Sequence, residues 1–108
     1  MRFLCYCYEM SNTLAQKFCP GSIDATPAAL RVMAEHYVLP QDLLDRHCVG
    51  DWGEIELTDW CANDNALQSG DRLFSSYLIA PKIRVWVVST GTDSAGERET
   101  TIFLPSEF

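Results

Sequence analysis

The sequence predicts an α+β domain in which two or three N-terminal helices pack on a C-terminal three-stranded antiparallel meander, with an extra N-terminal strand as an option. Three observations carry this. Between Thr26 and Ser69 apolar residues recur every three or four positions, the beat of an amphipathic helix. After Gly70 the beat shortens to two, as in a strand with one buried face. Glycine and proline fall between these segments or at their first positions, so the punctuation agrees with the periods.

The elements follow in order. The stretch Arg-Phe-Leu-Cys-Tyr-Cys-Tyr-Glu from Arg2 alternates β-formers and would pair as a strand, yet Met10-Ser-Asn also reads as an alternative start, which would make it an extension. Residues 1–20 are therefore set apart from a single α+β domain over 21–108. The first helix opens at Thr26-Pro27, where threonine offers an N-cap oxygen and proline lacks only an N–H that would be unpaired anyway. Leu30, Met33, Ala34 and Tyr37 form its stripe, and it ends before Pro40. A second helix runs from about Pro40 through Leu43, Leu44 and His47 to Gly50, a left-handed stop. A third is expected from Thr58 as N-cap to about Ser69, with Asp59 in the first turn, Trp60 and Leu67 on one face and Gly70 closing it. The loop from Asp51 to Leu57 turns tightly around Gly50 and Gly53.

In the sheet half, Leu73, Ser75, Tyr77 and Ile79 point one way and Phe74, Ser76 and Leu78 the other. Ala80-Pro81-Lys82 turns into a strand from Ile83 to Thr90, a loop spans Gly91 to Arg98, and Glu99 to Leu104 forms the last strand before Pro105. Both faces carry apolar residues. One is expected under the helices, and Trp86 on the other under the N-terminal segment or a second subunit.

A chain of 108 residues with 47% apolar content holds one core. The apolar run from Phe3 to Tyr8 is too short for a signal peptide or a membrane span, which points to the cytoplasm and to no membrane. Five cysteines, an odd number without an export signal, read as free thiols acting as small buried hydrophobes. Cys5 and Cys7 share a strand face, but no second pair completes a zinc shell. Ten acids stand against Arg31 and Arg46 between Asp24 and Asp71, and the whole chain carries −7. Phosphate contacts dominate nucleic-acid affinity, so direct binding of nucleic acid is not expected. A basic protein partner, or mimicry of a nucleic acid, fits this charge. Gly91 to Glu97 imitates phosphate-loop spacing but puts glutamate where lysine is needed. No cofactor motif is present, and no metal is expected.

One polar constellation gathers around the stretch His47-Cys-Val-Gly-Asp51-Trp52-Gly53: His47, Asp51, Trp52, Asp59, Asn63, Asn65, Arg72, Ser75 and Tyr77. Two readings are open to it. In the catalytic one His47 is a general base, Arg72 holds an anion, Asn63 or Asn65 orients a substrate and Tyr77 joins them. In the structural one Asp51 caps, Trp52 plugs the core and Arg72 forms a bidentate bond to Asp51 or Asp59.

The ordered motifs Ile23-x-Ala-Thr26-Pro27, Arg46-His47-x-x-Gly50-Asp51-Trp52-Gly53, Asn63-Asp-Asn65-Ala66-Leu67-x-x-Gly70, Arg72-Leu73-x-Ser75-x-Tyr77 and Thr100-Thr101-Ile102-x-Leu104-Pro105-x-Glu107-Phe108 resemble a family of small uncharacterised proteins carried on plasmids and other mobile elements. Some members are labelled type I restriction modification subunits. That label fails here, because a methyltransferase needs an Asn/Asp-Pro-Pro-Tyr loop and the chain has no Pro-Pro pair. The resemblance implies a shared fold and a mobile genetic context. The first functional expectation is a small accessory protein acting through protein contacts as a homodimer, with Trp52 as an anchor. A small hydrolase using His47 and Arg72 is the second, and an acidic anti-restriction mimic of nucleic acid the third.

Overall fold

The computed structural model describes Arg2–Phe3 and residues 16–107. Strands β1 (Arg2–Phe3) and β2 (Ser22–Ala25) precede helices α1 (Pro27–Glu35), α2 (Pro40–Cys48) and α3 (Leu57–Ser69); β3 (Leu73–Ala80), β4 (Ile83–Ser89) and β5 (Glu99–Phe103) follow. A 3-10 turn, Pro105–Glu107, closes the described chain. The strands form one sheet in the order β1-β2-β5-β4-β3. The α+β architecture and the antiparallel β3-β4-β5 meander are those the periods predict.

The N-terminal strand is present where Arg2 and Phe3 pair antiparallel with Asp24 and Ile23. Cys5, Cys7 and Met10 lie outside the described residues. β2 adds a strand that periodicity could not reveal: four residues are too short for an alternating signal, and its parallel partner β5 is some eighty positions away.

Helix α1 starts as expected, with Thr26 Oγ1 accepting from the Ala29 N–H at 3.1 Å. At α2 the Asp42 carboxylate accepts from the Leu39 N–H, which steadies a start that lacks a hydroxyl cap. Helix α3 is capped two residues earlier than the sequence suggests. Its N-cap is Glu56 and Thr58 sits inside the first turn, because the preceding residues are tied to β3 and the chain turns at Glu56, whose carbonyl accepts from the Trp60 N–H. Gly70 ends it at φ 82°, the left-handed geometry that glycine adopts without strain.

Two apolar clusters fill the space between helices and sheet. Met33, Leu43, Leu44, Tyr77, Val85, Val87 and Ile102 anchor the larger one, under α1 and α2. Trp52, Ala66 and Leu73 centre the smaller, with Phe18, Ile55, Trp60 and Leu67 against it. Each fully buried large apolar side chain contributes about 1.5–3 kcal/mol. Phe18 and the buried Pro20 thus belong to the packed body. Cys48 is buried as expected, whereas Cys61, on the outer side of α3, is exposed.

The tight turn after α2 also protects a sheet edge. β3 is the outermost strand, and Trp52 to Glu54 lie along it: the Ser76 N–H donates to the Trp52 carbonyl and the Glu54 N–H to the Ser76 carbonyl at 2.7 Å. This caps part of an otherwise unpaired edge. Gly53 is at φ 78°, and a Cβ there would fall 2.2 Å from the Ser76 oxygen. Gly53→Ala is expected to cost about 2 kcal/mol or more in urea unfolding, through strain and displacement of this edge segment; an unchanged midpoint would contradict the placement.

Candidate functional site

Helical spacing puts Leu43, Leu44 and His47 on the inward face of α2. His47 therefore sits where the two apolar clusters meet, edge-on to Phe18 and Trp52 at centroid distances of 5.2 and 5.4 Å. It is fully buried. Its Nδ1 is 2.6 Å from Ser75 Oγ, and its Nε2 is 2.9 Å from Ser89 Oγ. Ser89 Oγ meets Thr100 Oγ1 at 2.7 Å, and Thr100 Oγ1 donates to the Pro20 carbonyl at 2.7 Å.

The proton positions along this chain follow from its last link. A carbonyl only accepts, so the single Thr100 proton is spent on Pro20. Ser89 must then donate to Thr100, His47 must donate its Nε2–H to Ser89, and Ser75 must donate to the bare Nδ1. Each of the four protons then has one acceptor, with a neutral imidazole. Burial, with a smaller push from the Arg98 charge, takes the His47 pKa from 6.5 down to about 3.

The geometry corrects the general-base expectation: neither ring nitrogen reaches solvent, and Ser75 is equally buried. Tyr77 is buried too, with its hydroxyl donating to the Asp51 carbonyl at 2.7 Å, and burial pushes its pKa up. Trp52 fills the core and donates Nε1–H to Asp64, so it is a plug and not a surface anchor. Asn63 acts like a piece of backbone: its amide donates to the Phe74 carbonyl and accepts from the Phe74 N–H, clamping α3 to β3.

Arg72 is exposed and bonds neither Asp51 nor Asp59 through its side chain. The bidentate partner of Asp51 is Arg46, with Nε donating at 2.8 Å and Nη2 at 3.3 Å, while the Arg46 guanidinium lies 4.5 Å from the Tyr77 ring centre. Five residues along the same turn reach Asp51 more directly than the far end of α3 does. The buried arginine is Arg98, only 6% exposed. Its Nη1 donates to the Asp71 and Thr90 carbonyls, and its Nη2 to the Ala66 carbonyl at the negative end of α3. Burial lowers its pKa and the Asp71 charge opposes that. Arg98 ends what reads as a solvated loop, which is why pattern alone passes over it.

Solvent-accessible concavity lies away from His47, and the first cleft is on the sheet face turned away from α1 and α2. An open cleft of about 490 Å³ is bounded by Glu54, Ile55, Glu56, Asp59, Phe74, Ser76, Arg84 and Trp86. Of the residues singled out from sequence only Asp59 lines it, and Asn65 is exposed on α3 outside it. Phe74 and Trp86 meet edge-to-face at 5.1 Å, and Phe103 continues the aromatic row. Arg84 Nη1 donates to the Glu54 carbonyl and to Ser76 Oγ. A second cleft of about 460 Å³ lies over Val32, Ile83, Leu104 and Pro105 with Lys82 and Glu35 at its rim.

Among the described residues no three His, Cys, Asp or Glu side chains converge to hold a metal ion, and no helix is long and apolar enough to cross a membrane. No protein-family model, characterised protein or solved structure matches this chain.

The buried histidine gives stability a defined pH dependence. Its folded pKa lies below its unfolded value, so between about 6.5 and 3 the unfolded chain binds more protons. This contribution is complete above pH 6.5 and is lost as pH falls toward 3. In urea unfolding, the advantage of the wild type over His47→Gln is expected to narrow by about 1.4 kcal/mol per pH unit through that window; a constant gap would contradict the neutral buried ring. Arg98→Lys keeps the charge but lacks the planar fork, and is expected to lose about 2 kcal/mol by the same measurement.

Proposed function

We propose that this chain is a small cytoplasmic accessory protein of a mobile genetic element that works by binding a positively charged protein partner. The observation that carries the reading is the division of polar groups. Of the residues that resemble a catalytic set, His47, Asn63, Ser75 and Tyr77 are buried and hydrogen-bonded within the fold, while Glu56 and Asp59 stay exposed beside a cleft and form no ion pair among the described residues. The motif resemblance to mobile-element proteins supplies the context. Tyr37 and Leu39, 94% and 63% exposed, support self-association into a homodimer.

The same division favours a basic protein over mimicry of a nucleic acid. A mimic needs its carboxylates free to stand in for phosphates. Here Asp42, Asp51, Glu54 and Asp64 serve the fold, bonding Leu39, Arg46, Leu78 and Trp52 in turn. Cross-linking of the full chain in host extract at low salt is expected to join one discrete basic protein, with capture falling at least tenfold at about 0.5 M salt. An acidic or salt-insensitive partner, or hydrolase turnover abolished in folded His47→Gln, would contradict the proposal.

A further inference from the structure

The cleft on the outer sheet face combines two features that match one chemical group. Its rim is anionic, with Glu56 just ahead of α3 and Asp59 in the first turn. Its floor is aromatic, from Phe74 and Trp86, held in place by their edge-to-face contact. The positive residue in the lining, Arg84, donates to the Glu54 carbonyl and Ser76 Oγ and forms no ion pair with Glu56 or Asp59, and with Glu54 also in the lining three carboxylates stand against its one charge. An anionic rim over an apolar floor suits a lysine side chain, whose methylenes cover apolar surface while its ammonium seeks carboxylate.

We infer that this cleft is the docking site for a lysine of a basic segment in the partner protein, the stem lying over Phe74 and Trp86 and the ammonium between Glu56 and Asp59. The inference rests on the proposed binding role and adds the place and the side chain. Charge complementarity selects the occupant: a second copy of this chain would bring its own surplus of acids, whereas a lysine segment removes the repulsion. A cleft of about 490 Å³ holds one long side chain with part of its backbone, not a folded domain.

The test is titration of the full chain, followed by amide NMR, with a blocked octalysine peptide. A second peptide carries diaminopropionate in place of lysine, with equal charge and short stems, and spermidine serves as the small-cation arm. Saturable shifts are expected at Glu56, Asp59 and the Trp86 indole. Affinity should fall at least tenfold in Glu56→Gln/Asp59→Asn, and change less than threefold in Glu35→Gln/Glu97→Gln, which removes the same charge elsewhere. The short-stemmed peptide should bind at least fivefold more weakly than octalysine.

Equal losses in both double variants would overturn the cleft while leaving a diffuse acidic binding surface, and with it the binding role, intact. Equal affinity for both peptides would overturn the apolar floor. Spermidine binding as tightly as octalysine would replace the protein segment with a free polyamine. No binding of octalysine, with a discrete basic partner still captured in extract, would overturn the lysine site alone; failure of both would overturn the binding role as well.

Discussion

The fold turns on a line of four side chains that carries no net charge. Ser75, His47, Ser89 and Thr100 hand hydrogen bonds in one direction to the Pro20 carbonyl, linking β3, α2, β4, β5 and the segment ahead of β2. Such a line is tolerable in an apolar interior only when complete, because each orphaned buried hydroxyl or ring nitrogen costs about 1–3 kcal/mol. Completeness makes it specific: slipping β4 by one residue would turn Ser89 away from the ring and bring Val88 to it. The relay thus reinforces the register that the valines on either side favour.

Arg98 and Asn63 extend the same logic to the smaller cluster. Both put side-chain groups where backbone partners are missing, Arg98 at the carbonyls near the end of α3 and Asn63 against the Phe74 peptide. Gly21 approaches the Arg98 carbonyl so closely that a Cβ would collide with it. The helical layer is therefore fastened to the sheet by hydrogen bonds at several points, and the apolar clusters supply the bulk of the burial between them.

Much of this was legible in the chain. The three helices, their order before the meander, the cap at Thr26, the stop at Gly70 and the inward set Leu73, Ser75 and Tyr77 all follow from local periods and capping chemistry. Partners separated by long stretches of chain were not legible. β2 with β5, Thr100 with Pro20 and Arg98 with Ala66 depend on closure of the sheet, and local pattern carries no signal for it. The pairing of Arg46 with Asp51 leaves no local signal, because the position of Arg46 on α2 reads as an ordinary exposed charge. The stretch around His47 and Asp51 looked like a site because buried polar networks and catalytic sites use the same residue types; burial distinguishes them, and a single sequence does not record burial at a turn.

The division of labour follows from that placement. Interior polar groups hold the corner where α2 meets the edge of β3, and the carboxylates just beyond that corner are left to face solvent beside the aromatic row. The most direct measurement of the central claim is the imidazole nitrogen spectrum of His47 in the folded protein. One neutral Nε2–H tautomer, with a slowly exchanging ring proton, is expected from pH 8 down to about pH 4. A ring that titrates near pH 6.5, or that carries its proton on Nδ1, would contradict it.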